Sequence, residues 1–219
     1  MARMYVELDD FRQSAIIAKN EIVKSVRGKR FLASAILVAI VWALITLVPF
    51  LTGKGWDVLT LGDMLSSYLS YANMFVVLVV GLIGSVALVS EYEERTALIL
   101  FTRPVKKTTI FIGKFLASFL LSALLLLAYY IGVVAMTLIY HQTIPLNLVE
   151  SFGMCCCYIV AATGISFIFS AVMKRSSICI IFSILALMVV IPIITTMIKG
   201  DTWYMLTTAS ESILTCIPE

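Results

Sequence analysis

The sequence predicts an all-α, polytopic bundle of transmembrane helices, on three observations. Hydrophobic residues fill 61% of the 219 positions and charged residues only 13%, where a soluble domain carries roughly 25% charged residues. A water-soluble fold of this length lacks the interior volume to hide so much apolar surface, so the excess faces lipid. The apolar residues also gather into five runs, 31–50, 73–90, 115–140, 153–173 and 178–198, none of which contains Asp, Glu, Lys, Arg or His. Each is close to the roughly 20 residues that a helix needs to cross a bilayer. Finally, the runs are continuous rather than alternating, which selects helices over barrel strands. A soluble enzyme, a disordered chain and a secreted disulfide scaffold are thereby excluded.

Residues 1–30 form a cytoplasmic or interfacial segment ahead of a transmembrane domain over 31–219. Within it, Leu8, Phe11, Ala15, Ala18, Ile22 and Val26 recur at helical spacing, widened by Ile16 and Val23, and Ile17 interrupts the pattern. Asp9, Asp10, Gln13, Asn20, Glu21 and Lys24 occupy the opposite face. This is an amphipathic helix suited to the headgroup layer, with Phe11, Ala15, Ile22 and Val26 toward lipid. Gly28, within Val26-Arg27-Gly28-Lys29-Arg30, allows a turn into the first span. A plain basic anchor is the alternative.

The spans follow in order. The first starts only at residue 31 and is 20 residues long, which is unlike a signal peptide. The third is long enough to tilt or to extend past the membrane. With the N-terminus inside, the inner segments hold Arg3, Arg12, Lys19, Lys24, Arg27, Lys29 and Arg30, then Arg95, Arg103, Lys106, Lys107 and Lys114, then Lys174 and Arg175. Of the 16 basic residues only Lys54 and Lys199 fall outside. The positive-inside rule therefore predicts a multi-pass protein of the plasma membrane with a cytoplasmic N-terminus. Five spans place the tail 199–219 outside, and a sixth span is expected beyond it.

Between the second and third spans lies the longest charged stretch, from Glu91 to Lys107. It opens with Glu91, Glu93 and Glu94, continues as Arg95, Thr96 and a short apolar run, and closes on Arg103, Pro104, Lys106 and Lys107. Acids first and cations last suit a helix dipole, and Pro104 ends such a helix. Leu98, Phe101 and Val105 give it an apolar edge where there is no membrane core to cover, so the edge calls for a partner groove or, failing that, a lipid surface.

These residues carry a resemblance. Ser90-Glu91-Tyr92-Glu93-Glu94-Arg95-Thr96, then Leu100-Phe101-Thr102-Arg103-Pro104-Val105, then Ile110-Phe111-Ile112-Gly113-Lys114, is similar to the signature of type-2 ABC transporter permeases, and in its wording closest to those of copper-enzyme maturation systems. Many relatives have glycine where this chain has Arg95. The resemblance implies a permease half-transporter in membrane lipid, paired with a second permease copy or homologue and with cytoplasmic ABC ATPase subunits. The amphipathic N-terminal helix resembles the family's elbow helix. The loop would be its coupling helix, with Glu91, Glu93, Glu94, Arg95, Thr96, Leu98, Phe101, Arg103 and Pro104 contacting the ATPase. The family usually has six spans.

The chain has no G-x-x-x-x-G-K-S/T sequence, so it does not itself cradle ATP. No cofactor is expected here; ATP and magnesium belong to the partner. Nothing points to nucleic acid, to a catalytic residue or to a metal site. Cys155, Cys156 and Cys157 are consecutive, and consecutive helical side chains point about 100° apart, so they do not converge on one ion. Asn73, Thr137, Thr163, Ser166 and Ser170, with Gly81, Gly84 and Ser85, mark helix–helix contacts. Pro192 is expected to kink the fifth span. The resulting expectation is an exporter of a lipid-like, peptide or drug-like substrate. A non-transporting assembly or sensor subunit and a gradient-driven carrier are the alternatives, the latter disfavoured by spans without charge.

Overall fold

The computed structural model describes residues 2–51, 60–93, 106–142 and 147–197, and among the described residues there are helices but no strand. Helix α1 (Ala2–Val26) ends where Arg27 and Gly28 turn the chain, and α2 (Lys29–Leu51) rises from that turn as the first span. The second span is a broken helix, α3 (Leu61–Ile83) followed by α4 (Val86–Glu93). Then come α5 (Lys107–His141), α6 (Asn147–Val172) and α7 (Ser176–Leu185), which runs through a π-helical turn (Ala186–Val190) into α8 (Ile191–Met197). Among the described residues, five stretches are long and apolar enough to cross a membrane: Phe31–Pro49, Leu61–Glu93, Lys107–His141, Leu148–Val172 and Ser176–Ile194.

The second helical stretch starts at Leu61, well before residue 73, where the uninterrupted apolar run begins. Ser66, Ser67 and Ser70 interrupt the hydropathy there. Each donates its hydroxyl back to a carbonyl of the preceding turn, Ser66 and Ser67 to Asp63 at 2.9 and 2.8 Å and Ser70 to Ser66 at 2.7 Å. Their polarity is thus absorbed within the helix, while Met64, Leu65, Tyr68, Leu69 and Ala72 bury the other face. Thr60 caps the start by accepting the Asp63 N–H at 3.2 Å.

The break at Gly84–Ser85 has no proline, and its released backbone groups find partners on neighbouring spans. The N–H groups of Leu88 and Val89 both donate to Ser170 Oγ at 3.1 Å. The Ser85 carbonyl accepts the thiol of Cys179 at 3.0 Å. In a medium without water a broken helix persists only where other groups take over its backbone bonds, and α6 and α7 do so here. Gly81 permits the approach of α7, since a Cβ there would lie 2.5 Å from Ile184 Cγ1. In the fifth span the π-helical turn directly precedes Pro192, and the Ile191 N–H reaches back to the Ala186 carbonyl.

The second span is the most central, with 67% of its most apolar window buried, against 17% for the first and 22% for the fifth. Its core contacts are with the first span as well as with α5 and α6. Phe75 stacks on Tyr129 at 4.9 Å between ring centroids, and the Tyr129 hydroxyl donates to the Tyr68 carbonyl at 2.8 Å. The Tyr68 hydroxyl in turn pairs with that of Thr46 on α2 at 3.0 Å. Tyr130 shares hydrogen bonds with Ser151 at 2.8 Å and Cys155 at 3.3 Å. Cys155 is buried, Cys156 half-buried and Cys157 exposed, so the three thiols fan apart around α6.

Candidate functional site

The site forms at the first turns of α5. Its 35 residues at 1.5 Å each span about 52 Å, well over a hydrocarbon core of roughly 30 Å. The first turns of α5 are therefore free to pack against α1. Their meeting point is Gly113, where a Cβ would lie 2.9 Å from both the Ser14 carbonyl oxygen and Ile17 Cγ2. Ser14 is buried beside it and donates its hydroxyl to the Thr109 carbonyl at 3.2 Å.

One residue further on, Lys114 is 2% exposed. An ammonium has three N–H donors, and three acceptors surround it: Glu21 Oε1 on α1 at 2.9 Å, Glu91 Oε1 on α4 at 3.0 Å and the Ala87 carbonyl at 3.1 Å. Lys24 Nζ lies 3.5 Å from the same Glu91 oxygen. Two carboxylates thus face two ammonium groups, and the buried charge is compensated. Through Lys114 three helices distant in sequence are tied at one point.

Two residues after Glu91, Glu93 reaches in another direction. Its Oε2 accepts the Ser176 backbone N–H at 3.3 Å and also the Ser176 hydroxyl. A carboxylate at that position satisfies the N-terminus of α7 and is stabilised by the helix dipole. The chain on either side of residues 94–105 is therefore anchored. On the incoming side Glu91 and Glu93 hold α4 to α5, α1 and α7; on the outgoing side Thr109 and Lys114 hold α5 to α1. Among the described residues no three His, Cys, Asp or Glu side chains gather as a metal site.

Of the residues singled out in the loop, Glu91 and Glu93 are thus engaged with the chain's own helices. Glu94, Arg95, Thr96, Leu98, Phe101, Arg103 and Pro104 lie outside the described residues. On α1, Phe11, Ala15 and Val26 are exposed and Ile22 is half-buried. The face toward α5 is a different one, carrying Ser14, Ile17, Ala18 and Glu21. Ile17, an interruption when the pattern is read for a lipid face, is an element of this protein-facing stripe.

Sequence reasoning placed Glu21 and Lys24 on the polar face of α1 and read Lys114 as one of the inner basic residues and as part of a motif. A signal was present. Lys114 stands directly before an apolar run of 26 residues, and a cation at that depth calls for a partner. The small residues Ser14 and Ala18 on α1, against Gly113 and Ala117 on α5, have the spacing of close helix contact.

A family model described as ABC-2 family transporter protein matches residues 15–210. No curated protein matches the chain.

Proposed function

The chain belongs to the ABC-2 family of transporter proteins, a multi-pass membrane protein, and from that premise we propose that it is the permease subunit of an ATP-driven exporter. In this reading separate cytoplasmic ABC ATPase subunits bind and hydrolyse ATP with magnesium and dock on the loop helix of residues 91–104. A second permease copy or homologue completes the transporter, and a lipid-like, peptide or drug-like cargo suits spans without charge. The likeness of the loop to copper-enzyme maturation permeases sets no cargo. The observation that carries the coupling role is the Lys114 tie between Glu21, Glu91 and the Ala87 carbonyl. It makes the base of the loop one mechanical unit with α1, α4 and α5. Glu91 and Glu93 then serve as the loop's anchors, and the apolar edge at Leu98 and Phe101 as its contact with the ATPase.

A docked helix derives affinity chiefly from a few buried apolar or Arg anchors, while rim charges tune encounter. Phe101→Ala should therefore weaken ATPase co-purification and substrate-stimulated ATP hydrolysis by the reconstituted complex more than Lys107→Ala does. If Phe101→Ala, Arg103→Ala and Glu93→Ala together leave assembly and hydrolysis unchanged, the loop is a connector, and a non-transporting membrane subunit becomes the better reading.

The proposed orientation puts the N-terminus and residues 91–107 in the cytoplasm, following the clustering of basic residues on those segments. In a background without native cysteines, Lys106→Cys should stay shielded from impermeant maleimide added to intact cells, and Asp57→Cys should react. Labelling in the opposite sense reverses the topology and removes the loop from the ATPase.

A further inference from the structure

Bordering the Lys114 tie, and sharing Glu21, Lys24 and Ala87 with it, lies a cavity of about 270 Å³ between α1, the start of α2, the end of the second span and α5. One part of its wall is apolar, from Phe31, Leu82, Ile83, Val86 and Leu121; another is polar, from Lys24, Ser25, Gly28 and Lys29. The two parts sit at the membrane boundary, since Phe31 opens the first span and the α2 helix starts at Lys29. We propose that this cavity binds one anionic phospholipid from the leaflet on the N-terminal side, as a resident lipid rather than as cargo.

The chemistry of the lining selects the occupant. An apolar wall beside a basic rim at headgroup depth matches the acyl chain and phosphate of a phospholipid. The one acid in the lining, Glu21, is tied to Lys114 at 2.9 Å. Lys24 is within 3.5 Å of Glu91, which is likewise held by Lys114. The ions of the tie compensate one another, so Lys29 adds a positive charge to the rim, supplemented by the N-terminal dipole of α2. That surplus favours a net negative headgroup over a zwitterionic one. A lipid there would add a second bridge between α1 and the second span beside the Lys114 tie.

The test is native mass spectrometry of the purified full chain, titrated with phosphatidylglycerol and with phosphatidylcholine. We expect retention of one phosphatidylglycerol with a preference of about fivefold, the size expected of one lysine near a membrane phosphate. Lys29→Gln, an exposed position, should abolish the preference, and Leu82→Trp, which fills the apolar part, should abolish retention of both lipids. Equal retention of the two lipids, or a preference that survives Lys29→Gln, would overturn the proposal. Displacement of phosphatidylglycerol by millimolar inorganic phosphate would assign the rim to a soluble anion instead.

Discussion

Lys114→Met is expected to lower the melting temperature of the purified protein on the order of 10 °C and to uncouple ATP hydrolysis from substrate. The substitution keeps length and apolar volume but strands Glu21 and takes from Glu91 its closer cation, leaving Lys24 at 3.5 Å; the two carboxylates are largely shielded from water, with side chains 17% and 14% exposed. Removing one partner of a buried ion pair costs about 3–5 kcal/mol, because an uncompensated charge remains. The residual water access of the two carboxylates moves this case toward the lower end. Adding Glu21→Gln and Glu91→Gln to Lys114→Met removes the stranded charges and should restore most of the thermal stability, as neutral replacements of buried ion networks commonly do. It should not restore coupling, since the three-way tie is still absent. Fluorescence-detected size exclusion after heating measures the first quantity, and substrate-stimulated hydrolysis by the reconstituted complex the second. A Lys114→Met protein as stable as the parent would show that the tie has no structural weight.

Gly113→Val is expected to separate α1 from α5. The obstacle at 2.9 Å is the backbone carbonyl oxygen of Ser14, and backbone in mid-helix does not swing aside as a side-chain tip does. Overpacking of this kind costs about 1–3 kcal/mol, with Gly113→Ala milder than Gly113→Val. Ala18, 3% exposed in the same contact, provides the readout. In a background without native cysteines, Ala18→Cys should be inert to maleimide when Gly113 is present and reactive when it is Val. Continued shielding together with an unchanged melting temperature would mean that α1 finds another way to pack.

The two substitutions concern features of different legibility. The turn at Gly28 and the five apolar stretches are plain in the sequence, because a hydrocarbon solvent demands about 20 uncharged helical residues for each crossing. The start of α3 is not plain, since a hydropathy reading counts Ser66, Ser67 and Ser70 as polar without knowing that their hydroxyls bond one turn back. The break at Gly84–Ser85 is marked by small residues, but what permits it lies 80 or more positions away, in Ser170 and Cys179. Glu91 and Glu93 were visible as an acidic loop entrance, whereas their partners on α5 and α7 were not.

The amino-acid sequence by itself determined that the chain is a helical membrane protein, how many long apolar stretches it has, and where its charged loop lies. These follow from the one-dimensional match between apolar length and bilayer thickness, to which distant residues contribute little. Only the tertiary structure decided which face of α1 meets protein, that Lys114 joins Glu21 to Glu91, and that the second span occupies the centre. Those outcomes depend on pairings between residues far apart in the sequence, such as Ser14 and Thr109, 95 positions apart. They are settled by which small residues let two helices approach and by the need to neutralise every charge and backbone group withdrawn from water.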